Sequence, residues 1–248
     1  MSFELHELFF AAIAFAAGGV LKGATGAGAP IVVIPVLAML YDVPTAVAIF
    51  AVPSLLANIW QGWAHRGTHL PWRFVWIFAL GGGAGVVVGT VLLARLDSEV
   101  LLLTVAFVVL AYLAFRLMRP DWSLPFAAAR RVGGAAGFLG GILQGASGIS
   151  APVSITFLNA LRLERTVFIS TISIFFAVVS AVQMPALMHF DLMNAELFGL
   201  GLAALAVQAM AMPVGAWLAG RVSRQTFDRI IMGLLTVIAL RLIFTALP

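Results

Sequence analysis

Lys22 is the only lysine in a chain of 248 residues that is 62% hydrophobic. It sits inside an apolar run, one turn before a glycine-rich break, in the stretch GGVLKGATGAGAP from Gly18 to Pro30. A charge within a membrane segment is costly and marks a functional site by default. An ammonium, a hydroxyl at Thr25 and backbone amides freed by Gly23, Gly26 and Gly28 are the groups that bind an anion. The motif returns 122 residues later as GGILQGASGISAP, Gly140 to Pro152, with eight of thirteen positions identical. There Gln144 replaces Lys22, Ser147 replaces Thr25, Gly145 and Gly148 repeat, and Ser150 adds a third hydroxyl. These residues, with Asn58 and Gln61 as further lining, form the expected substrate site. No catalytic or metal site is expected.

Each assignment has a plainer competitor. Lys22 can snorkel or cap a helix C-terminus. Glycines can serve close helix packing, the better account of Gly81, Gly82, Gly83, Gly85 and Gly89. Ser54, Asn58 and Gln61 share one helix face by their spacing. With Ser170, Thr171, Ser173, Ser180 and Gln183 they can also be interhelical hydrogen-bonding groups. By the repeat offset, Ser180 matches Asn58 and Gln183 matches Gln61. Arg116 and Arg241 suit interfacial anchors, and Pro53, Pro185 and Pro213 suit kinks.

The composition defines the elements that must hold these groups. Mean hydropathy is +1.10 and only 10% of residues are charged, against about a quarter in soluble domains. Several uncharged apolar runs reach the eighteen or more residues that cross a bilayer. The chain is expected to be an all-α polytopic membrane protein. Its pI near 10.6 comes from thirteen arginines scattered between apolar runs, which bears on topology and argues against nucleic acid. The absence of cysteine excludes disulfides and thiol chemistry. The acidic start MSFELHELFF is unlike a cleaved signal peptide. His65, His69 and His189 lack a metalloprotease spacing, and no Walker A sequence or cofactor motif is present. No carboxylate falls deep in a span, which argues against a proton relay.

The apolar runs predict two repeats. The first (1–118) holds a broken hairpin at 8–40 and spans at 45–64, 72–94 and 100–115. A polar linker follows at 119–131. The second repeat (132–248) holds a hairpin at 132–161 and spans at 167–188, 197–219 and 227–245. If the broken segments crossed the membrane, seven arginines would lie on one face and six on the other. As re-entrant hairpins of two half-helices they put eleven on one face and two on the other, as the positive-inside rule requires. The repeats are then inverted, with both termini periplasmic. The two tips are expected to meet near the midplane, with Pro30 and Pro152 each in the first turn of a returning half-helix. Two helix N-termini would then face one pocket and favour an anion.

The tips GATGAGAP and GASGISAP, each in the first segment of a four-segment repeat, resemble those of the TauE/SafE family of sulfite-exporter-like permeases, over essentially the whole chain. The resemblance implies a bacterial inner-membrane permease for small anions, often sulfur oxyanions such as sulfite, or sulfonates such as sulfoacetate. Export is the commoner assignment, with uptake proposed for some members. The expected partners are a small anionic substrate and the lipid bilayer, with a homo-oligomer left open. An anion channel, an uptake permease for a small organic anion and a non-transporting membrane subunit are the alternatives. An intramembrane enzyme is the weakest, having no nucleophile–base pair.

Overall fold

The computed structural model describes residues 4–119 and 122–221, with Gly233 and Thr236. The expected span 227–245, with Arg224, Arg229, Arg241, Asp121 and Asp228, lies outside the described residues. Among the described residues all regular structure is helical: α1 (Leu5–Thr25), α2 (Ala29–Leu40), α3 (Val43–Ala64), α4 (Trp72–Arg95), α5 (Ser98–Met118), α6 (Phe126–Ser147), α7 (Ser154–Ala160), α8 (Arg165–His189) and α9 (Ala195–Ala219). Six of them, α1, α3, α4, α5, α8 and α9, are long and apolar enough to cross a membrane.

Local chemistry sets the boundaries. The Asp42 carboxylate caps α3 by accepting from the Thr45 amide at 2.6 Å, and Asn194 caps α9 by accepting from Leu197 at 2.8 Å. Two left-handed glycines end α1 and α6 in the same way. Gly26 (φ 84°) donates to the Lys22 carbonyl at 2.7 Å, and Gly148 (φ 70°) to the Gln144 carbonyl at 2.8 Å. The residues at these two ends are 122 apart, so the sequence repeat is repeated in hydrogen bonds.

Two differences from the expected segments have local causes. The linker is shorter than 119–131, because α6 already starts after Pro125 and takes in Arg130 and Arg131. Nothing in FAAARR breaks a helix, whereas Pro125 bars its continuation backwards. Pro152, expected in the first turn of a helix, lies in the turn before α7, while Pro30 does occupy the first turn of α2.

Close packing follows the glycines. A Cβ on Gly81, Gly85 or Gly89 of α4 would strike the α6 backbone, and one on Gly137, Gly141 or Gly145 of α6 would strike α4. Gly19 and Gly23 of α1 meet α9 likewise, as Gly215 of α9 meets α1. Small residues at these seams let backbones approach. The order of the contacts makes α4 parallel to α6, and α1 parallel to α9.

The central pair is α3 with α8. Ser54 lies opposite Ser180 and Gln61 opposite Ser173, so the two helices are antiparallel. Helix α2 folds back antiparallel to α1, with Gly18 against Ala29 and Val33, and Leu21 against Gly28. Consequently every described arginine except Arg95 lies at the end of the bundle where α3 finishes and α8 begins.

Candidate functional site

The first break positions a pocket. Its wall is Ala27 to Pro30 at the tip, Lys22 of α1, Phe50, Ser54 and Asn58 of α3, Phe176 of α8 and Gln208 of α9. Gly28 (φ 95°) turns the chain here, a conformation that costs glycine least. Helix α2 then starts with Ala29 and Pro30. The amides of Gly28 and Ala29 have no partner among the described residues, and Pro30 has no N–H. They are the free donors of a helix N-terminus.

Lys22 is buried, and its Nζ donates to Asn58 Oδ1 at 2.6 Å. Asn58 Nδ2 in turn donates to the Ser54 carbonyl at 2.6 Å, which fixes the acceptor side of its amide toward the lysine. Among the described residues no carboxylate lines the pocket. A buried ammonium held only by a neutral amide is uncompensated, and the burial of an unpaired ion costs several kcal/mol (roughly, per ion). The structure therefore offers an anion a positive group and two amides. The space is small, about 10 Å³, the room that roughly one water needs.

Gln208 is the residue that the sequence-based site lacks. It is fully buried, and neither its Nε2 nor its Oε1 has a partner. Leaving such atoms unpaired costs about 1–3 kcal/mol each. It is the only polar side chain between Leu197 and Ala219, and that isolation in a span was the available signal. Ser54, on the face of α3 already noted for Asn58 and Gln61, also reaches the pocket and shares a hydrogen bond of 2.9 Å with Ser180.

The remaining expected residues go elsewhere. Gly23 packs α1 onto α9, and its repeat partner Gly145 packs α6 onto α4; a side chain at either would strike backbone. The Thr25 hydroxyl has one proton to share between the carbonyls of Leu21, at 2.8 Å, and of Ala27. The Ser147 hydroxyl is bonded to Leu143 and Ile149 in the same pattern. Both hydroxyls brace their own tips. Ser150 is bonded to Ser154 at 2.8 Å. Gln61 accepts from Ser173 at 3.0 Å across the α3–α8 seam. The Gln144 carbonyl accepts from Gln183, and Gln144 Oε1 is buried without a partner.

The tips do not meet. Gly26 packs on Ile169 of α8, and Gly148 on Val47 of α3 and Ile34 of α2. Given the α3–α8 register, those two places are roughly 27 Å apart along the bundle. The cause is arm length. Helices α1 and α6 have 21 and 22 residues where half-helices were expected, because nothing stops either before its left-handed glycine. The returning arms are short, 12 residues in α2 and 7 in α7. Gln144, Gly145, Ser147, Gly148 and Ser150 do not line the Lys22 pocket, although Gly148 packs on Val47 and Ile34, each about one helical turn from the lining residues Phe50 and Pro30.

Tip 1 has one further tie. Arg165 Nη2, at the start of α8, donates to the carbonyls of Gly23 and Ala24 at 3.1 and 3.0 Å. It caps the last turn of α1 with the charge that suits a helix C-terminus.

No curated protein and no solved structure matches this chain. The family model described as Sulfite exporter TauE/SafE matches residues 10–242, nearly all of it. With its six long apolar helices and the paired glycine-rich breaks, the chain belongs to the TauE/SafE family of sulfite-exporter membrane permeases.

Proposed function

We propose that this permease carries a small anion, of the sulfur oxyanion or organosulfonate class, out of the cell by alternating access across the bacterial inner membrane. The observation that carries the reading is Lys22, buried beside the free amides of Gly28 and Ala29 in a pocket that no carboxylate lines among the described residues. Lys22 supplies the charge, Asn58 orients it, and the amides supply directed hydrogen bonds at a helix N-terminus. The family supports the class of anion.

Two inverted repeats are part of the same proposal. Its supports are the antiparallel α3–α8 pair, which maps onto itself when the halves are exchanged, and the parallel α1–α9 and α4–α6 pairs, which exchange with one another. The arginine-rich end is assigned to the cytoplasm by the positive-inside rule, and the N-terminus to the periplasm. With the cytoplasm negative, moving one anionic charge outward gains about 2.3 kcal/mol per 100 mV, so export needs no coupling ion. The narrowness of the pocket suits a carrier, since an anion fits only after the surrounding helices shift.

Counterflow tests this reading. Liposomes containing only this chain and loaded with unlabelled sulfite should accumulate labelled sulfite transiently from outside. Flux without counterflow would make the protein a channel, and no flux for any small anion would make it a non-transporting subunit.

A further inference from the structure

The hydrogen-bonding inventory of the pocket is lopsided in a way that bears on the ligand. Lys22 Nζ, the amides of Gly28 and Ala29, and Gln208 Nε2 are all donors. Most acceptors already have a partner. Asn58 Oδ1 is taken by Lys22, the Gly28 carbonyl by the Ile31 amide, the Ala27 carbonyl by Thr25 and the Ser54 carbonyl by Asn58 Nδ2. Ser54 Oγ is bonded to Ser180 Oγ. Among the polar side chains that line this space, the unpartnered acceptor is Gln208 Oε1. Rotating the amide exchanges its ends but still leaves one acceptor and one NH₂.

Resting on the anion site proposed above, we infer that Gln208 selects for an anion that also carries a hydrogen-bond donor. Such a ligand is a singly charged oxyanion that retains an O–H, or a sulfonate with a hydroxyl on the adjacent carbon. The oxyanion end meets Lys22 and the tip amides, and the O–H is given to Gln208 Oε1. An anion with acceptors alone sets lone pairs against Oε1 and leaves it unsatisfied. A site built around a buried polar group rejects the analogue that cannot pair with it much more strongly than an apolar wall rejects a change of size. Exchanging the repeats puts Val86 of the first in the place of Gln208 of the second, so the partner tip has no glutamine at that position.

Hydroxymethanesulfonate and methanesulfonate test this, since both are monoanions and differ by one hydroxyl. Their affinities for the full chain in detergent are read from anion-dependent thermal stabilisation. Wild type should bind the hydroxylated anion about tenfold more tightly. Gln208→Met, which keeps the side-chain length, should bring the two together, mainly by weakening the hydroxylated one. Gln208→Leu serves as the second variant if the first is poorly folded. Equal wild-type affinities, as expected if a water satisfies Gln208, would overturn the inference and leave the anion site standing. So would a preference that survives in a folded variant. Failure of wild type to bind either anion would overturn both.

Discussion

Asn58 is the neighbour that makes Lys22 usable. As an amide it holds the ammonium at 2.6 Å without neutralising it. Replacing it by aspartate places a permanent counter-ion where the substrate's charge is needed. Asn58→Asp should therefore raise thermal stability and cut sulfite flux by about tenfold or more, because the amide leaves the buried ammonium without a counter-ion and the carboxylate supplies one. A variant with unchanged flux would mean that the lysine is not the anion's partner. At this scale the sequence was informative where chemistry is rare. One lysine and one asparagine in apolar spans were visible from type and spacing, and the structure bonds them to each other. Gln208 was just as visible as a lone polar residue but lay in no motif. Thr25 and Ser147 misled for a physical reason: hydroxyls at helix ends turn back onto local carbonyls as readily as toward a ligand.

Helices in this protein are held in register by glycine, and the positions differ sharply in tolerance. A Cβ at Gly85 would run into the Phe138 carbonyl of α6, whereas one at Gly83 would meet Val182 at 3.5 Å, an ordinary contact. Gly85→Ala should lower stability by about 1–3 kcal/mol, as overpacking does, and Gly83→Ala should be nearly neutral. Thermal unfolding in detergent compares the two, and equal effects would contradict the α4–α6 packing. Span boundaries were legible to within a turn for α3, α4 and α9, since capping residues and breakers mark them. The depth of the tips was not. It depends on where an uninterrupted helix stops, and a run of alanine, leucine and glycine carries no sign that α1 continues for 21 residues.

Across the whole molecule, two matching motifs differ in the residues that would meet an anion. Lys22, Gly28, Asn58 and Gln208 have Gln144, Ser150, Ser180 and Val86 as their repeat counterparts, so the second copy keeps the fold of the tip and lacks the charge. The repeat pattern is plain in the sequence, and the proposal that the first copy binds rests on the divergence at these four places. The arrangement of the whole chain is testable because it has no cysteine. In intact cells a membrane-impermeant thiol reagent should label Ser98→Cys, at the end bearing Arg95. It should label Thr68→Cys, in the exposed loop after α3, only after permeabilisation. The reverse pattern would invert the proposed orientation.

The central claim is that one buried lysine draws the anion, and sulfite flux by Lys22→Ala in liposomes tests it most directly. The account predicts no flux above protein-free vesicles, with a helical spectrum and an unfolding temperature no lower than wild type, since an unpaired buried ammonium has been removed. Wild-type flux from the folded variant would contradict it.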